Sequence, residues 1–580
     1  VLLDGQAPVG DLKWSPDGRM LAVSRGGKLI LLGGQAILVG GEPILRELPA
    51  PGPVLDFWWS PDSACIAMLF LDGSQWDAGV VHVASRQLTW RSRTHDWEHG
   101  LAWLGSDKLS VVRISEDASL REYLVVDLKD GSEEVLEREM SPRSLKPEVV
   151  PVAAPTGDAA AYTLLVEGWA HLVVRDFARG TRTVVLQGDS EDYGHADDRP
   201  AWSGDGRYVA FASNYGVLQQ RHLWRFDRET GEVRQLTSEP GTHVNPAFAP
   251  DGKLIACIAC SPWRSAEVAL LPADGTGGGK VERLTNSMPA AWVREAITEP
   301  QHITITGAEG LQVHADLFVP RGFDPAKQYP ALVYIHGGPV RQMRCGWHPM
   351  HAYGFFYSYN QYLLHQGYVI LSVDYRGGSG YGVAYEQANY MKFAQTELDD
   401  CVRGGRYLKS LPYVDEDRVG IWGISYGGYM ALAAMTKRPD EFALGVNIAG
   451  VWDFEQWDRW LAGRQPGLPR FYETRWGGPK GEHNAEVYRQ QSPRYFVEGL
   501  KGPLLNLHGT ADESVDFAQL DAIVKDCTEH GKDFAAIYYP GETHLFHNRK
   551  TWADAFRRMD GAFERYLKCE DPARRPAAMI

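Results

Sequence analysis

The sequence predicts two unlike halves, an all-β propeller of six or seven blades over residues 1–295 and an α/β domain over residues 296–580. Three observations predict this. A Trp-Ser-Pro-Asp-Gly phrase recurs between Trp14 and Gly252, and short apolar runs alternate with helical stretches from Ala331 onward. The length of 580 residues also exceeds the ~250–300 at which one hydrophobic core stops growing.

The propeller is read from the repeat. Trp14-Ser15-Pro16-Asp17-Gly18 precedes an apolar run through Met20, Leu21, Ala22 and Val23, and the phrase returns at Trp59-Ser60-Pro61-Asp62, Trp202-Ser203-Gly204-Asp205-Gly206 and Phe248-Ala249-Pro250-Asp251-Gly252. Weaker copies start at Trp103 and Ala154. The step is roughly 45–50 residues, the length of a four-stranded blade. Pro presets φ, Asp bonds its own backbone and Gly accepts positive φ, so each copy is a tight turn between two strands. A second strand–turn–strand phrase, His222 to Glu232, completes a blade. Six copies are counted, and a seventh blade could be assembled from the ends of this region. Radial repetition protects strand edges.

Composition narrows the function classes. A net charge of -15 argues against nucleic acid, and no apolar run reaches the ~20 residues that span a bilayer. Seven cysteines are thinly spread; Cys257 and Cys260 form a lone C-x-x-C, read as strand packing because a zinc site needs further ligands nearby. Reduced thiols favour a cytoplasmic location. The start at Val1, without Met, leaves a trimmed leader or an earlier start open. His95 and His99, and His195 among Asp192, Asp197 and Asp198, are read as solvated loops. No metal and no cofactor are expected.

In the second half, apolar runs lie at Ala331–Ile335, Tyr368–Val373, Val419–Trp422, Leu444–Ile448 and Pro503–Leu507, and a helical stretch carries Leu398, Val402, Gly405 and Leu408 on one face. This alternation predicts a mostly parallel sheet with helices on both faces, whose sites collect at the carboxyl ends of the strands.

Gly423-Ile424-Ser425-Tyr426-Gly427 follows a strand and precedes a helix, which makes it the nucleophile elbow of an α/β-hydrolase domain. A serine hydroxyl needs a base and a group to orient that base, in the chain order Ser, acid, His. Asp512 follows the strand ending at Leu507, with Glu513 and Asp516 as rivals. His544 follows the last strand, Phe534 to Tyr539, and is preferred over His547 because it lies closer to the strand end. His336 and His508 are read as bracing loops. An oxyanion needs preorganised donors, expected at the Tyr426 amide and at Gly338, with Gly337 a near rival. The Gly-rich stretch Arg376 to Gly382 lacks the Lys-Ser/Thr ending of a phosphate-binding loop and is read as shaping a loop beside the site.

Five pieces then resemble the prolyl oligopeptidase family of serine peptidases, nearest its acylaminoacyl-peptidase branch: His336-Gly337-Gly338-Pro339, Asp374-Tyr375-Arg376-Gly377, Gly423 to Tyr429, His508-Gly509-Thr510-Ala511-Asp512, and Pro540-Gly541-Glu542-Thr543-His544. The order propeller then hydrolase is similar too. The resemblance implies a Ser425–Asp512–His544 triad, short peptides as substrates and partners, and a propeller that restricts access. It also implies a side-chain pocket from Phe454 and Trp457, with Val515 on another wall; as plain core aromatics the first two would need no such role. Homo-oligomerisation is left open. Two residues depart from the family pattern: Ser514 stands where some relatives carry a substrate-gripping Arg or Asn, and Thr543 replaces a frequent Gly. No convincing glutamate pair for a free N-terminal amine is found, and a small-molecule esterase or amidase with the same triad is the alternative reading.

Overall fold

The computed structural model describes residues 9–34, 45–73, 75–141, 151–192, 198–292, 294–464, 475–478 and 481–569. Its first half is six four-stranded antiparallel sheets in succession, the first formed by Val9–Trp14, Met20–Arg25, Lys28–Gly33 and Leu45–Leu48 and the sixth by Thr242–Phe248, Leu254–Ser261, Arg264–Pro272 and Glu282–Arg283. Six such sheets, and no seventh, occur among the described residues of this half.

The repeated phrase explains itself at atomic level. In the first blade Asp17 Oδ1 receives the Ser15 hydroxyl (2.6 Å) and the Arg19 amide (3.0 Å), Ser15 Oγ accepts from Met20 N (2.9 Å), and Gly18 takes φ 69°. The second blade repeats this with Ser60 and Asp62, and the fifth with Ser203 and Asp205. The tryptophan tethers blades: Trp59 Nε1 donates to Lys13 O (2.9 Å), Trp103 Nε1 to Trp58 O (3.0 Å) and Trp202 Nε1 to Val152 O (2.9 Å). Apolar clusters then fill the space between consecutive blades, as where Leu29 and Leu31 meet Phe57 and Ile66. Burying such side chains is the main favourable contribution to folding.

Two sequence readings in this half are corrected. His99 lies within the strand Trp97–Leu104, its ring 4.9 Å from that of Trp76, and is not in a loop. Asp192 is buried, with Oδ1 accepting the Ser213 hydroxyl (2.7 Å) and Oδ2 facing His171 Nδ1 (3.2 Å); Asp198 is buried as well. Acids with such partners are not solvated, and the partners lie too far along the chain to be read locally. His195 and Asp197 fall outside the described residues. Cys257 and Cys260 are buried in the strand Leu254–Ser261, and Cys260 Sγ donates to Trp347 O (3.0 Å) across the two halves.

The second half is built on one eight-stranded sheet, in spatial order Gln301–Thr306, Gln312–Phe318, Val369–Asp374, Tyr329–Ile335, Val414–Ile424, Leu444–Ile448, Leu504–Gly509 and Phe534–Tyr539. Pairing is parallel from Val369–Asp374 onward and antiparallel for the first two strands. Strands buried on both faces read as continuous apolar runs, which is why Val369–Asp374 is buried throughout. One face carries the helices Thr396–Ser410 and Tyr426–Lys437, the other His351–His365 and Arg549–Leu567. The halves meet along the segment that follows Pro339: Gln342 Nε2 donates to Leu218 O (2.8 Å), Cys345 N to Gln219 O (3.0 Å) and Trp347 N to Ser261 O (3.2 Å).

Candidate active site

The strand Val414–Ile424 ends beneath Ser425, which caps the helix Tyr426–Lys437 with φ 58° and ψ -122°. A positive φ is costly for a residue with a Cβ, so the surroundings must impose it. They do: Ser425 N donates to Ile448 O (2.8 Å) and Ser425 O accepts from Tyr429 N (2.9 Å). The turn closes only on glycines, since a Cβ on Gly427 would lie 2.0 Å from Ile335 O and one on Gly423 would lie 2.6 Å from the same oxygen. The helix presents its unpaired first amides and the positive end of its dipole beside Ser425.

Facing the serine is the loop after Tyr329–Ile335. A Cβ on Gly337 would lie 3.3 Å from the Ser425 Cβ, and Gly338 holds φ 125°. His336 fixes this loop. Its Nδ1 lies 2.7 Å from Gly337 O and its ring stacks on Tyr375 at 4.3 Å. Tyr375 donates to His336 O (3.0 Å) and stacks in turn on Tyr426. Burial holds the His336 imidazole down at about 4, so it is neutral at pH 7.

Asp512 and His544 come together from the ends of neighbouring strands, with Asp512 Oδ2 2.8 Å from His544 Nδ1. Asp512 Oδ1 accepts from the amides of Ser514 and Val515, each at 2.8 Å. His508 reaches the same carboxylate, its Nε2 3.2 Å from Oδ2 and 2.9 Å from Val515 O. Burial opposes ionisation of Asp512, but the bonds from His508 and His544 outweigh it and hold the carboxyl well below the usual range. The rivals are occupied elsewhere: Glu513 receives the His544 backbone amide (3.3 Å), Asp516 bonds Gln519, and His547 Nδ1 lies 2.9 Å from Thr543 Oγ1. That last contact shows what Thr543 does in place of a glycine. Among the described residues, Ser425 and His544 share no hydrogen bond; such contacts often tighten only with substrate bound.

Ser425 opens on a cavity of about 370 Å³ lined by Gly338, Tyr426, Phe454, Trp457, Trp476 and Val515, among others. Phe454 is buried and also packs in the core, whereas Trp457 is partly exposed, its Nε1 donating to Ser514 O (2.8 Å). Phe393, Arg475 and Trp476 line the same cavity and were not singled out from the sequence; Phe393 lies in a turn and Arg475 and Trp476 in a helical segment far along the chain, with no local motif.

Beneath Tyr426 lies another unforeseen group. Tyr426 donates to Glu397, a wholly buried carboxyl that also receives Ala394 N (2.8 Å) and Thr396 Oγ1 (3.2 Å). Burial dominates and pushes Glu397 up from 4.5 to about 7, against the hydrogen bonds it accepts. Because folding raises this carboxyl, its contribution to stability is complete below pH about 4.5 and is lost as pH climbs through about 7. Glu397→Gln is therefore expected to flatten the decline of the melting temperature between pH 5 and 8, measured against wild type by calorimetry. Parallel pH profiles for the two proteins would overturn this.

Residues 355–570 match the model of the prolyl oligopeptidase family, and residues 79–262 that of the dipeptidyl peptidase IV N-terminal region. Mouse dipeptidyl peptidase 8 is 32% identical over 248 residues, 43% of this chain and 26% of its own. Dipeptidyl aminopeptidase BIII of Pseudoxanthomonas mexicana is 31% identical over 387 residues, 65% of this chain and 53% of its own. The chain thus spans from about a quarter to about half the length of these two relatives. The crystal structure of Porphyromonas gingivalis dipeptidyl peptidase 4 superposes with a TM-score of 0.79 at 19% identity, covering 98% of this chain and 84% of that one, a likeness of fold. Ser425, Asp512 and His544 all lie inside residues 355–570, the stretch that matches the prolyl oligopeptidase family, and the second match runs from the second described blade into the sixth.

Proposed function

We propose that this chain is a serine peptidase that hydrolyses short or N-blocked peptides through an acyl-enzyme on Ser425. One observation carries the reading: a serine held at positive φ on a helix N-terminus faces the Gly337–Gly338 backbone and an aromatic cavity, with an Asp512–His544 pair on the adjacent strand ends. Ser425 Oγ attacks the scissile carbonyl while His544 Nε2 takes its proton, and Asp512 steadies the resulting imidazolium. The oxyanion is met by the amides of Tyr426 and Gly338, with Gly337 beside them. His544 returns the proton to the leaving amine, and water, activated by the same base, releases the acid. The side chain before the scissile bond enters the cavity between Phe454, Trp457 and Val515, and the propeller limits what can approach.

Blocked rather than free amino termini are favoured because the adjacent acids at the domain seam are already engaged. Glu191 receives the amides of Gly380 (2.9 Å) and Gly382 (3.2 Å), and Asp192 receives Ser213 and His171. The Gly-rich loop is thus bare backbone docked on the propeller. A cytoplasmic setting accords with the thiols of Cys65, Cys257, Cys260, Cys345, Cys401 and Cys527; among the described residues no helix is long and apolar enough to cross a membrane.

The test is a panel of short peptides, free and N-acetylated, assayed beside simple esters with the acyl-enzyme trapped and mapped by mass spectrometry. Cleavage of acetylated peptides after an aromatic or apolar residue, with the acyl group on Ser425, is the expected result. Ester hydrolysis with no peptide cleavage would move the reading to a small-molecule esterase.

A further inference from the structure

The seam between propeller and hydrolase holds a second cavity, about 120 Å³, at the far end of the loop that begins at the candidate oxyanion glycines. Arg344, Arg341, Gln342 and His348 line it from the hydrolase side, Asp198 and Asn245 from the propeller. Arg344 is the unusual member. It is 5% exposed, its Nε and Nη1 donate to nothing, and among the described residues it forms no ion pair. A guanidinium taken out of water without a partner is costly, and a site that leaves one so is suited to an anionic ligand. Burial, with Arg221 close by, pushes the group down only to about 10, so it stays charged at neutral pH. Asp198 is the one acid among the described lining residues; its Oδ1 receives the Asn245 amide (3.0 Å), and its charge offsets part of that of Arg344 without a hydrogen bond between them.

A short series of packed contacts runs from the lining of this cavity to the serine. A Cβ on Gly337 would lie 3.3 Å from Ser425 Cβ and 3.4 Å from Tyr353 Oη. Tyr353 packs edge-on against His348, ring centroids 5.2 Å apart, and both line a small cleft together with Arg344. The aromatic cavity and this one share no lining residue. A peptide offers an ammonium at one end and a carboxylate at the other. Arg344, with Arg341 beside it and Arg221 nearby, repels the first and attracts the second.

We propose that this seam cavity is a subsite for the C-terminal carboxylate of the leaving peptide, with Arg344 as its counter-ion, so that the preferred substrates are short on the leaving side. Arg344 favours the planar carboxylate through paired N–H donors, as guanidinium groups do. The inference rests on the peptidase reading for its place in turnover, but binding tests it separately.

The probe is N-acetyl-Ala-Phe-Ala-Ala as the free acid and as the C-terminal amide. Wild-type enzyme is expected to favour the acid by about tenfold or more in kcat/KM, mostly through KM, as a charged hydrogen bond would give. Arg344→Gln should abolish the preference and Arg344→Lys keep part of it. Equal turnover of acid and amide by wild type would overturn the subsite, whatever the variants do, and needs no variant to fold. An acidic side chain as the true ligand would show as preference for Glu over Gln within the peptide and indifference to the terminus, which also overturns it. Calorimetric binding of the two peptides to Ser425→Ala separates the claims: acid-selective binding without turnover by wild type would sink the peptidase reading and leave the subsite standing.

Discussion

Ser425→Ala is expected to lower kcat/KM for an acetylated peptide by about 10⁶-fold, and adding His544→Ala should lower it little further. The reason lies in the geometry. In the proposed mechanism Ser425 Oγ forms the new bond and His544 serves the first step only by taking its proton, so removing either disables one shared event. What remains in both proteins is the backbone of Gly337, Gly338 and Tyr426 around the carbonyl, which still stabilises an oxyanion made by water. Steady-state kinetics on the two single variants and the double variant, with thermal unfolding as a check on folding, decide it. If the double variant lost the product of the two single losses, the residues would be acting independently and the triad assignment would fail.

What could be read from the chain alone was what local bonds encode. The Trp-Ser-Pro-Asp-Gly phrase was legible because its bonds close within five residues, Ser15 Oγ to Met20 N and Asp17 Oδ1 to Arg19 N, and the same residue types must recur wherever the turn does. The elbow was legible for a similar reason, as Gly423 and Gly427 are demanded by close backbone approach. Asp512 and His544 could be picked by their place just past strand ends. Groups whose meaning depends on distant partners were not legible. Glu191 meets Gly380 across 189 positions, Glu397 meets Tyr426 across 29, and Asp192 was read as solvated because its partners His171 and Ser213 lie 21 positions away on either side. His508 was expected to brace a loop, and it does so through Val515 O, but its contact with the Asp512 carboxylate depends on how the loop folds back. Arg344 likewise reads as an ordinary basic residue until the propeller covers it.

Asp512→Asn is expected to lower kcat by about 10⁴-fold while leaving KM and the fold nearly unchanged, because it alters a tautomer and not a shape. Asp512 uses both oxygens fully: Oδ1 takes the amides of Ser514 and Val515, and Oδ2 faces His544 Nδ1 and His508 Nε2. An asparagine must keep its single carbonyl toward the two backbone amides, since turning its NH₂ there would set donor against donor. The NH₂ then points at His544 Nδ1 and makes that nitrogen an acceptor, while the His508 Nε2 proton is left to Val515 O alone. The imidazole proton moves to Nε2, the nitrogen that should receive the serine proton, and the base is blocked. The charge that would steady the imidazolium is lost as well. Pre-steady-state acylation with an acetylated peptide measures the step directly, and its rate should fall as far as kcat. A fall of less than about tenfold would mean that another group orients His544, with Glu513, whose carboxylate already receives the His544 backbone amide, the next to test.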